Sequence, residues 1–302
     1  MANIKHNNAC FFLISARKNV LYTCLSHLDK NYNFQYNYPI LIFYHGNKYD
    51  DVDYQTEIHK INKKTKVSFH KIEAKLPEHL SEKDLFYNKT DVPYVKKSFS
   101  RDRMGYLHAN YFWNNFMNYP ELKDYQYMIR IDDDSWFKKK IKMNFFDELI
   151  KSKKLVGCGY TWNHVHHRVL DTRINFYEWI KDYVKKYNIT VKNLKLKLYL
   201  DEGERDIVDG RKCNKNFHSM DFLCGNFNIY DRKMFETKEW KQYLNEFNIL
   251  GGGYRYRWGD CEVISMFYYI HMGDSFLDLE LKKKNIYANT LPNTKMIKKG
   301  LE

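Results

Sequence analysis

Proline is scarce in this chain, with 5 in 302 residues, and no Gly-, Ser- or Pro-rich linker interrupts it. One continuous domain over residues 1–302 is therefore expected. No run approaches the ~20 apolar residues of a membrane helix. Residues 1–8 are polar, and the apolar run at 10–14 is too short for the core of a signal peptide. These absences predict a cytoplasmic protein, or one in the secretory lumen if the sequence is a piece of a longer chain. The six cysteines (10, 24, 158, 213, 224 and 261) include no Cys-x-x-Cys pair, which argues against a zinc knuckle. Cys10 and Cys158 lie in apolar runs and are expected as reduced core residues, although an even count leaves disulfides open. No internal repeat is present.

What the chain has in plenty is hydrophobic residues (44%), aromatics (17%) and positive charge, +13 at pH 7. This composition is globular. The charge has two readings: a solvated lysine-rich surface, or attraction to an anionic ligand such as a nucleotide sugar. Nucleic acid is not the expected partner, and the oligomeric state is not legible. The sequons at Asn88 and Asn188 read as chance in an Asn-rich chain.

Hydrophobic patterning predicts strands at 9–15, 39–44 and 67–72, separated by helices at 20–28 and 54–60. That alternation marks a parallel sheet with crossover helices, an α/β fold. A long surface loop is expected at 77–100, a helix at 101–118, and a fourth strand at 125–131. Helices follow at 145–151, 176–187, 233–247 and 261–270, with strands at 155–160, 222–230 and 275–279. Residues 190–217 read as a weakly patterned insertion, and the glycines at 251–253 as a flexible turn.

The fourth strand runs into Asp132-Asp133-Asp134. Ligands of open α/β sheets sit beyond the carboxyl ends of strands. In extended chain Asp132 and Asp134 would share one face and could hold a hard divalent ion, Mn²⁺ or Mg²⁺, against a diphosphate. The other reading is a solvated turn. A second segment, from Gly252 through Tyr254, Arg257, Trp258 and Gly259 to Asp260, combines stacking aromatics, arginines and an acid, a composition that suits a carbohydrate pocket. Its alternative is a core tryptophan with Asp260 as the N-cap of the next helix. Asn226 and Asn228 alternate on one face of a strand and need hydrogen-bond partners there. His164, His166 and His167 read as a surface loop rather than a metal cluster.

The segment from Tyr254 to Asp260, followed by Val263 and Ser265, resembles the G-G-F-x-Y-E-R-W-G-D-A-P-V-H-S block of glycosyltransferase family 15, the fungal α-1,2-mannosyltransferases. Residues 11–19, 34–40, 104–113, 125–134 and 225–228 resemble further family segments in the same order. The resemblance implies a GT-A fold with a mixed, mostly parallel central sheet flanked by helices. It implies a nucleotide-binding half at 9–134 and a sugar- and acceptor-binding half at 135–302. It also implies a metal-dependent retaining mannosyltransferase that uses Mn²⁺ and GDP-mannose and transfers to a glycan or glycoprotein. By that likeness Arg17, Asn19, Asp132 and Asp133 serve the nucleotide, Asp132 and Asp134 the metal, and Asp260 and Asn228 the reacting sugar. Asn226, Tyr254, Arg257 and Trp258 shape the pocket. The family glutamate is Asn228 here, which as an amide is no carboxylate nucleophile. The family arginine of M-C-R-F is Tyr106, and no histidine stands at the C-terminal metal-ligand motif, where Asn289 falls. Rival expectations are a catalytically impaired sugar-binding protein on the same fold, and a metal-dependent phosphotransferase or nuclease.

Overall fold

In the computed structural model, the described residues are 5–61, 63–73, 75–85, 103–162, 175–202, 206–208, 211–213, 221–273 and 276–288. Residues 86–100 of the loop expected at 77–100, Asn88 among them, the three histidines at 164–167 and Asn289 lie outside them; the described part, 75–85, holds one 3-10 turn at Glu82–Asp84.

The first half alternates as predicted. Strands β1 (Ala9–Ile14), β2 (Ile40–Tyr44), β3 (Val67–Lys71) and β4 (Tyr127–Ile131) are joined through helices α1 (Lys18–Asn31), α2 (Val52–Ile61) and α3 (Arg103–Asn115). After the turn that follows β4 come β5 (Trp136–Phe137), helix α4 (Phe145–Ser152), β6 (Val156–Cys158) and β7 (Thr161–Trp162). Helix α5 (Phe176–Lys186) precedes the stretch read as an insertion. That stretch holds structure of its own: helix α6 (Leu194–Glu202) and a hairpin of β8 (Asp206–Val208) and β9 (Arg211–Cys213).

The strand expected at 222–230 is two. β10 (Phe222–Leu223) pairs with β7, and β11 (Phe227–Asp231) joins the main sheet. The chain turns at Gly225, where only glycine has room: an added Cβ would lie 2.5 Å from the Cys261 sulfur. Helices α7 (Lys233–Glu236), α8 (Lys238–Leu250), α9 (Gly252–Arg255) and α10 (Asp260–His271), then β12 (Leu277–Asp278) and β13 (Tyr287–Ala288), complete the described elements. The glycine turn is narrower than expected. Gly251 ends α8 with φ 72°, which glycine adopts without strain, and Gly252 and Gly253 are already helical.

The main sheet has seven strands in the order β12-β6-β11-β4-β1-β2-β3. The pairs β4–β1, β1–β2, β2–β3 and β12–β6 are parallel, and β11 runs antiparallel between β4 and β6. Alternation along the strands sorts the core into two layers. Phe11, Leu13, Ile129 and Ile131 pack with α1 and α4 through Leu21, Leu28, Phe145 and Phe146. Cys10, Phe12 and Met128 pack on the other face with α3, α8 and α10 through Phe112, Trp240 and Phe267. Arg130 has the parity of Met128, so it faces α3 and α10. Cys10 and Cys158 are buried free thiols, as expected, and so is Cys24. No described helix is long and apolar enough to cross a membrane.

Candidate active site

Strand registry assembles the site. Phe12 of β1 pairs with Arg130 of β4 in parallel, so three residues on, Ser15 meets Asp133 at the same sheet edge. The Ser15 hydroxyl donates to Asp133 Oδ2 at 2.6 Å and lies 2.7 Å from the Tyr49 hydroxyl. β11 is antiparallel, so its leading loop, Cys224-Gly225-Asn226, arrives at that same edge. The Asn226 carbonyl accepts from the Asp132 amide at 3.0 Å and from the Tyr287 hydroxyl at 2.8 Å.

The three acids are not an extension of the strand. β4 stops at Ile131, and the Ser135 amide closes a turn onto the Asp132 carbonyl at 3.0 Å. Asp132 and Asp134 therefore do not converge by strand alternation, which corrects the expectation from spacing. Arginines order them instead. The Arg17 guanidinium pairs with Asp133 and lies 3.3 Å from Asp134, while Arg130 Nη2 lies 3.3 Å from Asp132. Asp133, backed by Ser15 and gripped by Arg17, holds the turn. Asp132 and Asp134 each keep about a third of their side-chain surface exposed.

Arg130 is 4% exposed. Its guanidinium carbon lies 3.8 Å from the centroid of the Trp113 ring, and Nη1 pairs with Asp260. Asp260 is not the N-cap of α10. Gly259 occupies that position and Asp260 is the first helical residue, where an acid complements the helix dipole. Asn110 of α3 fixes this corner by accepting from the Asp260 amide at 3.0 Å and donating to the Trp258 carbonyl at 2.6 Å.

These groups line one cavity of about 510 Å³, with Ile14, Tyr106, Ala109, Cys224 and Cys261 completing the wall. Its charges are Asp132, Asp133, Asp134 and Asp260 against Arg17 and Arg130. Burial pushes the Asp132 carboxyl up to about 7; Arg130 opposes the shift, and Asp260, Asp134 and Asp133 add to it. Burial also raises Asp134, against the pull of Arg17. Burial works against the charge on Arg17, but its hydrogen bond and charge contact with Asp133, together with Asp134, raise its pKa overall.

A cavity lined by more carboxylates than guanidinium groups is what a hard cation stabilises, and oxygen donors suit Mg²⁺ or Mn²⁺. Among the described residues no group of three or more His, Cys, Asp or Glu gathers around one point. Asp132 and Asp134, each about a third exposed, are the acids of the turn that could reach such an ion, with water and ligand phosphates completing its shell.

The structure brings together Arg17, Asp132, Asp133, Asp134, Asn226 and Asp260. It places the other candidates elsewhere. Asn19 is an exposed residue in the first turn of α1 and does not line the cavity. Asn228 is buried in β11, paired across to Arg130, with its side-chain amide 3.0 Å from the Tyr230 hydroxyl. Tyr254 is buried against Tyr111 and lies 3.0 Å from His108. Trp258 is buried among Phe176, Trp179 and Tyr256. Arg257 reaches the Tyr106 ring at 4.6 Å. Sequence reasoning passes over Arg130 and Asn110 as site residues, and marks Tyr106 only as the residue at the family arginine of M-C-R-F. The available signal for Arg130 was a charge inside the apolar run YMIRI; for Asn110 only the helical spacing, with Trp113, offered one.

A mostly parallel sheet with an acidic turn at the carboxyl edge of β4 defines the class, a GT-A-type glycosyltransferase fold. The chain belongs to the glycolipid 2-alpha-mannosyltransferase family, whose model matches residues 1–277. It is 24% identical over 190 residues to the probable mannosyltransferase KTR3 of Saccharomyces cerevisiae, covering 63% of this chain and 42% of that relative. The chain thus spans less than half the length of the curated relative it matches. Similar solved structures are core-mannan synthase A of Aspergillus fumigatus in a Mn/GDP form (TM-score 0.69, 18% identity, 95% of this chain and 76% of that one) and the mannosyltransferase Ktr4p of S. cerevisiae (TM-score 0.70, 19% identity, 94% and 73%). Ktr4p has also been solved in complex with GDP.

Proposed function

We propose that this chain transfers a hexose, mannose from GDP-mannose, from a nucleotide sugar to a glycan or glycoprotein hydroxyl with a divalent cation. The observation that carries the proposal is the surplus of carboxylate around Asp132 at the carboxyl edge of the sheet, in a cavity that also holds Arg17 and Asp260. Family membership supports a mannosyl donor, and the Mn/GDP form of core-mannan synthase A supports the metal and the nucleotide.

Asp132 and Asp134 would hold Mn²⁺ or Mg²⁺. The ion, when bound, supplies Lewis-acid neutralisation of the diphosphate leaving group. Arg17 presents a second positive charge at the rim, steadied by Asp133 behind it. Asp260, paired with Arg130, supplies a carboxylate beside the sugar, either to accept the acceptor's proton or to stabilise an oxocarbenium-like carbon. Arg130 positions Asp260 and Asp132 at once, and Trp113 covers its face. Asn226 lines the cavity next to the acid turn and is placed to bond sugar hydroxyls.

The test is turnover with a panel of nucleotide sugars and Mn²⁺, comparing the chain with Asp132→Ala/Asp134→Ala. GDP-mannose should be consumed by the parent and not by the double variant. Equal turnover in both would refute the metal role.

A further inference from the structure

One wall of the cavity is a single face of α3: Tyr106, Ala109, Asn110 and Trp113, spaced i, i+3, i+4 and i+7. Trp113 lies under Arg130, and Asn110 bonds the Asp260 amide and the Trp258 carbonyl. Tyr106 is a cavity-lining aromatic with 44% of its surface exposed. It stands one helical turn from Asn110, about 6 Å along the axis at 1.5 Å per residue. Tyr106 and Asp260 line the same cavity, and Asn110, which bonds the Asp260 amide, lies between them on the wall.

A second, independent feature converges on the same ring. The loop before α10 stacks Tyr256 on Trp258, with ring centroids 5.0 Å apart and an 18° angle between planes. Arg257 between them is forced to φ 59°, the left-handed region that non-glycine residues seldom adopt. Its guanidinium lies 4.6 Å from the centre of the Tyr106 ring. The loop thus brings a guanidinium against an aromatic ring that lines the cavity.

We propose that Tyr106 and Arg257 form the subsite for the acceptor sugar, a neutral hexopyranoside whose C–H face stacks on Tyr106 and whose hydroxyls accept from Arg257. This deepens the transferase proposal and rests on it. Aromatic rings in a wet cleft bind the apolar face of a sugar, and a guanidinium supplies rigid donors beside it. Tyr106 lines the same cavity as Asp260, which an incoming hydroxyl would approach.

The experiment is saturation-transfer NMR with methyl α-mannopyranoside, on the protein alone and with GDP and Mg²⁺, the latter replacing paramagnetic Mn²⁺. Binding on the order of millimolar is expected. Saturation should reach the ring C–H protons of one sugar face, be lost in Tyr106→Ala and Tyr106→Leu, and persist in Tyr106→Phe. Arg257→Ala should weaken it at least about fivefold. No signal from the parent protein, or an equal signal from Tyr106→Ala, overturns the subsite. So does displacement of the probe by GDP-mannose, which would give the ring to the donor hexose. A thermal shift with GDP and Mn²⁺ separates the two proposals. A shift without any sugar signal overturns the subsite alone. A Tyr106-dependent sugar signal without a shift upholds it and overturns the donor site.

Discussion

Arg130 Nη2 lies 3.3 Å from the Asp132 carboxylate while its Nη1 pairs with Asp260, so one buried cation joins the acid turn after β4 to the first residue of α10. Removing one partner of a buried pair leaves an uncompensated charge and typically costs about 3–5 kcal/mol. Arg130→Ala should therefore destabilise the protein by that order, measured by denaturant titration. Arg130→Lys should recover only part of the loss, because a lysine lacks the planar fork that meets two carboxylates and lies flat on Trp113.

Asp132 gives a pH signature. Burial, with the charges of Asp260, Asp134 and Asp133, moves its carboxyl up to about 7 against the opposing Arg130. An unfolded aspartate titrates near 3.9. Between these values the folded chain holds a proton that the unfolded chain releases, so this group's contribution to metal-free stability falls as pH rises from about 4 to 7. Mn²⁺ must displace that proton. Its apparent affinity should rise up to about tenfold per pH unit below 7 and level off above. Calorimetry at pH 5.5, 6.5 and 7.5 in buffers of different ionisation enthalpy reads both the affinity and the proton release.

Gly225 tests the fit of the loop. Its position leaves 2.5 Å between a built Cβ and the Cys261 sulfur, with Arg130 Nη2 and Asp260 Oδ2 each 3.2 Å away. Gly225→Ala should destabilise by about 1–3 kcal/mol, as overpacking does. Cys261→Ala in the same chain should relieve most of that, giving a non-additive cycle by thermal denaturation.

Asn228 is buried in β11; its side-chain oxygen accepts from the Tyr230 hydroxyl at 3.0 Å, and its nitrogen donates to the Phe227 and Cys224 carbonyls at 2.9 and 2.7 Å. Asn228→Ala leaves that buried hydroxyl short of a partner, at a cost of about 1–3 kcal/mol. Asn228→Asp would bury a carboxylate in the same place and should cost more. Both are read by equilibrium unfolding. If Asn228→Asp is as stable as the parent, the side chain reaches solvent or ligand and the placement is wrong.

Much of the fold was legible because its signals are local. The runs at Phe11–Phe12, Ile40–Phe43 and Met128–Ile131 are buried on both faces and separated by helices of ordinary period. The acid turn was legible because Asp132-Asp133-Asp134 ends such a run. What escaped depends on contacts between distant segments. The need for glycine at 225 is set by the Cys261 sulfur, 36 residues later. The burial of Trp258 is set by Phe176 and Trp179. The pairing of Arg17 with Asp133 and Asp134 follows from turn geometry that a strand pattern does not show. Tyr106 and Asn110 join the site only because α3 packs across the sheet edge.

The measurement that bears most directly on the central claim is isothermal titration of GDP in the presence of Mn²⁺, with the parent chain and with Asp132→Asn/Asp134→Asn. If a divalent ion and a diphosphate meet at the acid turn, the parent binds GDP only with the metal present, and the double variant loses at least about a hundredfold, roughly 2.7 kcal/mol. Metal-independent binding by the parent, or equal binding by the variant, would contradict it.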